Sequence, residues 1–211
     1  MRLIIESDYK KLSAWAARHV VERINAFGPT EERPFVLGLP TGSSPEGMYA
    51  ELVKANREGR VSFRHVITFN MDEYVGLPEN HPESYHSFMR RNLFDHIDIL
   101  PENIHILNGN AEDLEAECDH YEEMIKAAGG IDLFIGGIGP DGHIAFNEPP
   151  EPGEVCTDEE FLQRPTRVLK LARETKTINA FMNAGADLDA IPDWCITVGM
   201  KEIFHARKVR M

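Results

Sequence analysis

The fourteen residues GGIGPDGHIAFNEP, 136–149, set Asp141, His143 and Glu148 among four glycines. An imidazole exchanges protons near neutrality, and a carboxylate on its other ring nitrogen fixes the tautomer and supports the cation. A surface ion pair in a glycine-rich turn uses the same residue types, so the triplet alone leaves both readings open. Asp72 and Glu73 follow VITFNM as a second acidic group. Adjacent acids behind an apolar run commonly form a solvated turn. At the mouth of an apolar pocket, however, a carboxylate has a raised pKa and serves as a base. The third polar group is Thr41, Gly42, Ser43 and Ser44, just ahead of Pro45. It reads either as a turn with a serine N-cap, worth about 1 kcal/mol, or as an anion cradle of N–H groups and hydroxyls at a helix N-terminus. With no GxSxG elbow and no cysteine near these acids, the set suits proton transfer without a nucleophile.

Several other chemistries are excluded. No GK[ST] follows TGSS, so this is not a nucleoside-triphosphate loop. Gly137, Gly139 and Gly142 satisfy the dinucleotide spacing G-x-G-x-x-G. A true fingerprint opens a helix, whereas Pro149, Pro150 and Pro152 forbid one here, so no nicotinamide cofactor is expected. The histidines of HPESYH stand five apart, a poor spacing for a shared metal on a helix, and no metal is expected. The net charge of −13 argues against a nucleic-acid or anionic-membrane surface, which would need a basic patch. Cys118, Cys156 and Cys195 form no CxxC pair and read as reduced thiols. MRLIIESDYKKL is too acidic and too short in apolar run for a signal peptide. No window approaches the roughly 18 apolar residues of a membrane span. A cytoplasmic protein is expected.

The elements that must position these groups alternate along the chain. Asp8 to Phe27 carries Leu12, Trp15, Ala16, His19, Val20 and Ile24 near a 3.6-residue period, predicting a helix. FVLGL (35–39) predicts a buried strand, and PEGMYAELVKANREG (45–59) a helix with proline in its first turn and glycine at its end. HVITFNM (65–71), NIHIL (103–107) and IDLFIGGI (131–138) predict strands. Residues 85–97 and 114–130 predict helices. This rhythm predicts an α/β fold: a Rossmann-like three-layer sandwich with a mostly parallel sheet and helices on both faces. Ligands of such sheets bind outside the carboxyl ends of the strands. LPTGSSP, NMDEY and GGIGPDGH all fall at such ends, which predicts one pocket. Beyond Pro149, a proline-rich acidic loop is expected, then strands at 166–172 and from 196 into a helix, and the start of a strand at KVRM.

LGLPTGSSP, VITFNMDEYVGLPENHPESYHSFM, NIHILNGNA and IDLFIGGIGPDGHIAFNEP closely resemble the glucosamine-6-phosphate deaminases, also called isomerases, from Met1 to about Pro149. The related 6-phosphogluconolactonases share the fold and a GxGxDGHxA loop, but differ around NMDEY and continue towards a serine and proline in place of FNEP. The resemblance implies conversion of glucosamine 6-phosphate to fructose 6-phosphate and ammonia, without a cofactor. His143 would assist opening of the pyranose ring, with Asp141 and Glu148 orienting it. Asp72 would move a proton from C2 to C1. Thr41, Gly42, Ser43, Ser44 and Gly137 would bind the sugar phosphate, and a homo-oligomer is implied. A sugar-phosphate lactonase, or a non-catalytic sugar-phosphate-binding remnant, are the alternatives.

Past residue 149 the resemblance changes. Family members carry an asparagine, a small residue and an arginine that grips the phosphate; here Phe181 of TINAFMN takes the arginine's place. They also continue beyond KVRM through a strand, helix and strand bearing a phosphate-binding lysine. A single domain over 1–211 lacking that segment is expected, with weakened phosphate binding that only Lys176 or Lys201 could offset.

Overall fold

A computed structural model describes residues 3–139, 142–150, 153–183 and 185–211. Five strands form one parallel sheet: β1 (Phe35–Leu39), β2 (Val66–Asn70), β4 (Ile104–His105), β5 (Leu133–Ile135) and β8 (Val209–Arg210), ordered β4-β2-β1-β5-β8. A second sheet of β3 (Asp72–Tyr74), β7 (Trp194–Thr197) and β6 (Arg167–Lys170) is antiparallel, ordered β3-β7-β6. Seven α-helices are described: α1 (Tyr9–Phe27), α2 (Glu46–Arg57), α3 (Tyr85–Asn92), α4 (Leu114–Ala127), α5 (Asp158–Leu162), α6 (Arg173–Asn183) and α7 (Met200–His205).

β1 shows why the parallel sheet needs cover on both faces. All five of its residues are buried, and alternate side chains enter opposite layers. Phe35, Leu37 and Leu39 join Val20 and Ile24 of α1 and Tyr49 and Leu52 of α2. Val36 joins Tyr121 and Ile125 of α4 and Ile203 of α7 on the other face. Gly38 has no alternative, because a Cβ there would lie 2.5 Å from the Phe134 ring of β5.

The parallel sheet and its two helical layers match the sequence expectation. The predicted strands are trimmed: 103–107 keeps two paired residues and 131–138 keeps three. The helix expected over 85–97 ends at Asn92 and resumes as one 3-10 turn, Phe94–His96. α1 keeps its period but turns its stripe. Ser13, Ala17, Val20, Val21 and Ile24 are buried, Leu12 is exposed, and Trp15, Ala16 and His19 line a cavity. The strands expected at 166–172 and from 196 are present as β6 and β7, but their pairing with β3 into a second sheet was not anticipated. That sheet packs with α6 around Tyr74, Leu77, Phe146, Leu171 and Cys195. No described helix is long and apolar enough to cross a membrane.

Candidate active site

Three chain segments at the carboxyl edge of the parallel sheet open on one cavity of about 640 Å³. Thr41, Gly42, Ser43 and Ser44 line it after β1, Asp72 after β2, and Gly136, Gly137, Gly139 and His143 after β5. The pocket expected from strand ends is therefore present, and every predicted binding residue lies on its wall.

The hydroxyl loop is built without a serine cap. Pro45 occupies the N-cap of α2 and makes no side-chain cap bond, which corrects the serine N-cap expectation. The work falls to Tyr9 of α1, whose hydroxyl accepts from the Gly47 N–H (2.8 Å) and faces the Ser43 and Ser44 carbonyl oxygens (3.1 Å each). Tyr9 also lines the cavity, and no sequence signal singled it out. Gly42 has φ 94°, a left-handed conformation that favours glycine.

Asp72 starts β3, where it pairs with Thr197 of β7. It is buried, and its pKa is pushed up to about 8, first by burial, next by the neighbouring Glu73 charge, against a lowering pull from His143. Of the two adjacent acids, Asp72 alone lines the cavity. Glu73 turns away and is bound by the start of α3.

His143 Nδ1 lies 3.4 Å from Glu148 Oε2, and both side chains are mostly buried. Glu148 Oε1 accepts from the Thr175 hydroxyl of α6 at 2.5 Å, a buried partner that the sequence did not reveal. Asp141 lies outside the described residues. Gly139 is shaped for the imidazole, since a Cβ there would fall 2.2 Å from a His143 ring atom. The turn beyond is locked by Ala145 at φ 54° and by the Ile144–Asn147 bridge. It docks on the end of β7 and the residue after it: Phe146 N–H donates to Thr197 Oγ1 (3.1 Å) and Asn147 Nδ2 donates to the Val198 carbonyl (2.9 Å). Among the described residues of 137–150 the dinucleotide spacing opens no helix.

Around the phosphate end the expectations divide. Phe181 is 74% exposed on α6 and is not on the cavity wall, where Thr175, Ile178 and Asn179 stand instead. Lys176 is bound to Asp193 (2.6 Å), and Lys201 to Glu122 (3.1 Å) and Glu202 (3.5 Å). Neither compensates in this arrangement. Among the described wall residues the arginine or lysine present is Arg210 of β8. Burial and the charges of Arg210, Arg23 and Lys208 lower the pKa of His19 beside it. No group of three or more His, Cys, Asp or Glu among the described residues is arranged to hold a metal.

A doubly covered parallel sheet, with a buried carboxyl and a Glu-backed histidine on one cavity wall beside a hydroxyl loop, defines an α/β enzyme equipped for acid–base work on a polar small molecule. The chain belongs to the glucosamine-6-phosphate isomerases/6-phosphogluconolactonase family, whose model matches residues 7–184. It is 65% identical over 211 residues to a glucosamine-6-phosphate deaminase of Porphyromonas gingivalis, covering 99% of this chain and 76% of that one. It is 54% identical over 209 residues to the glucosamine-6-phosphate deaminase of Borreliella burgdorferi, covering 99% and 74%. Among solved structures, a monomeric glucosamine-6-phosphate deaminase superposes with a TM-score of 0.86 at 36% identity, over 99% of this chain and 80% of that one. A 6-phosphogluconolactonase from Thermotoga maritima shares the fold, with a TM-score of 0.66 at 19% identity over 95% and 78%.

Proposed function

We propose that this chain is a glucosamine-6-phosphate deaminase, converting glucosamine 6-phosphate and water to fructose 6-phosphate and ammonia. The observation that carries the reading is that Asp72 and His143 line the same cavity, His143 with Glu148 beside its ring, and the Thr41–Ser44 loop stands on the same wall. The relatives at 54–65% identity support the substrate.

The roles follow from the chemistry. The Thr41, Ser43 and Ser44 hydroxyls and the Gly42 and Gly137 backbone receive the phosphate near the start of α2. His143 moves a proton between the ring oxygen and the anomeric hydroxyl, opening the pyranose to the aldehyde. Glu148 orients the imidazole and supports its charge, a role the resemblance extends to Asp141. Asp72, ionised, takes the C2 proton to give an enolamine and returns it at C1. The resulting C2 imine is hydrolysed, so the C–N bond is broken by water and the enzyme is a hydrolase in that sense. A cytosolic location and a homo-oligomeric state belong to the same proposal. The location is supported by three free cysteines, two of them buried.

The test is ammonia release from glucosamine 6-phosphate, run beside glucosamine and 6-phosphogluconolactone. Ammonia from the phosphorylated amino sugar alone is expected. Lactone hydrolysis without ammonia would move the assignment to the other branch of the family.

A further inference from the structure

Glu73 is a buried carboxylate that the proposed reaction does not use. Its Oε1 accepts from the backbone N–H groups of Tyr74 (2.7 Å) and Tyr85 (3.1 Å). Its Oε2 accepts from the His86 N–H (3.1 Å) and lies 2.8 Å from His86 Nδ1. The Ser84 hydroxyl accepts only from the Ser87 N–H of helix α3, so Glu73 completes the cap by taking the Tyr85 and His86 N–H groups. Four donors converging on two oxygens suit a carboxylate, whereas an amide offers one accepting oxygen and would set its NH₂ against two of them. On a strand, successive side chains take opposite faces, so Glu73 fixes β3 from behind while Asp72 faces the cavity. His86 in turn lines a separate cavity of about 250 Å³ with Glu79, Arg90 and His105.

We propose that Glu73, anchored by His86, is the positioning residue of Asp72: it clamps β3 on the start of α3 and acts on the cavity carboxyl through its charge. Its catalytic meaning rests on the deaminase reading, but its effect on Asp72 exists without substrate.

The groups around Asp72 isolate that effect. Tyr49 of α2, Tyr85 of α3, Tyr121 of α4, Tyr74 on its own strand and Cys195 of β7 all interact with it. Burial raises every one of these hydroxyls and the thiol, so they stay neutral near neutral pH. Glu73 and His143 are left as the two side chains that bring charge to Asp72, with opposite sign.

The experiment is a carbon-13 NMR titration of the ligand-free chain labelled at aspartate carboxyls, with the Asp72 signal assigned by its loss in Asp72→Asn. The parent should titrate near 8. Glu73→Gln should move the midpoint acidward by about one pH unit or more, and Glu73→Asp, which keeps the charge, should restore it towards the parent. An unchanged midpoint in folded Glu73→Gln overturns the proposal. If that variant does not fold, His86→Phe carries the test: without its imidazole anchor the Glu73 carboxylate is free to turn away from β3, so the Asp72 midpoint should move acidward, and a midpoint identical to the parent's overturns the proposal. In the ammonia assay the acid limb of kcat/KM should follow the NMR displacement. A lowered melting temperature with the limb unmoved would mean that Glu73 only supports the fold. A parent that releases no ammonia sinks the deaminase reading and leaves the NMR comparison to decide this inference.

Discussion

Asp72 is a carboxyl that folding makes costly to ionise. As a base it works only when ionised, so kcat/KM for the free enzyme should rise with pH through about 8. Asp72→Asn cannot accept the C2 proton and should lower turnover by about 10²–10⁴. Deuterium exchange at C2 should be lost in parallel, and a variant that still exchanged at the parent's rate would remove Asp72 from the chemistry. The same burial gives a stability signature. An unfolded aspartate titrates near 3.8 and the folded one near 8. Between those values the unfolded chain has released its proton while the folded chain keeps it. Ionisation therefore favours the unfolded state, and stability falls as pH rises through that window, by at most about 1.4 kcal/mol per pH unit. Above the folded value the loss levels off. Asparagine has no proton to release, so Asp72→Asn should exceed the parent in urea resistance near pH 8 and approach it near pH 4. Parallel urea curves at both pH values would contradict the buried, proton-holding carboxyl. Residue types and strand-end positions raised Asp72, His143 and Glu148 as candidates, but the same types make surface turns and ion pairs, so their roles came only with the family resemblance. Tyr9 and Thr175 were hidden, and of Glu73 only the acidic side chain was visible, not what it holds. Their roles depend on partners 38, 27 and 13 residues away that no local pattern links.

At the scale of elements, the apolar runs and 3.6-residue stripes sufficed for α1, α2, α4 and β1, whose cover on both faces leaves a strong pattern. The β3-β7-β6 sheet was not legible for a physical reason. A three-residue strand, Asp-Glu-Tyr, shows no period, and it pairs with Trp194–Thr197 more than a hundred residues on. The loop bearing His143 depends on a void that only glycine leaves. A Gly139→Ala methyl would fall 2.2 Å from the ring, so the imidazole must move. A displacement near 1 Å costs on the order of 10²-fold in rate, while the exposed turn should keep the melting temperature within a few degrees. Parent-like turnover in Gly139→Ala would show that the ring has room elsewhere. Thr175→Val tests the clasp of α6 on Glu148. Hydrogen bonds to charged groups contribute about 1.5–3 kcal/mol. The variant should shift the pH profile of kcat, and Thr175→Ser should restore it. A valine variant with the parent's profile would show that Glu148 is held by other contacts.

Across the whole molecule, the two halves of the acid–base set meet on one strand. β3, carrying Asp72, pairs with β7 through Asp72–Thr197, and the turn after His143 docks on the end of the same strand through Thr197 Oγ1 and on the residue after it through the Val198 carbonyl. Asn147 is tied further by Arg167 of β6, whose Nη1 donates to Asn147 Oδ1 at 2.7 Å. The small antiparallel sheet is thus the ruler between base and imidazole, while the large parallel sheet supplies the floor and the hydroxyl loop. Thr197→Val separates these functions. The substitution keeps shape and leaves the backbone ladder of β3 and β7 intact, but it strands the buried Phe146 N–H without its acceptor. That should cost about 1–3 kcal/mol of stability. Because the turn rather than the floor loosens, kcat should fall by tenfold or more, with KM changed far less, on the order expected when catalytic groups are misplaced while binding contacts remain. Amide exchange should show β3 and β7 still protected and the Phe146 amide newly open. A variant that loses stability yet keeps the parent's kcat would mean that the Asp72-to-His143 spacing is set from the parallel sheet alone.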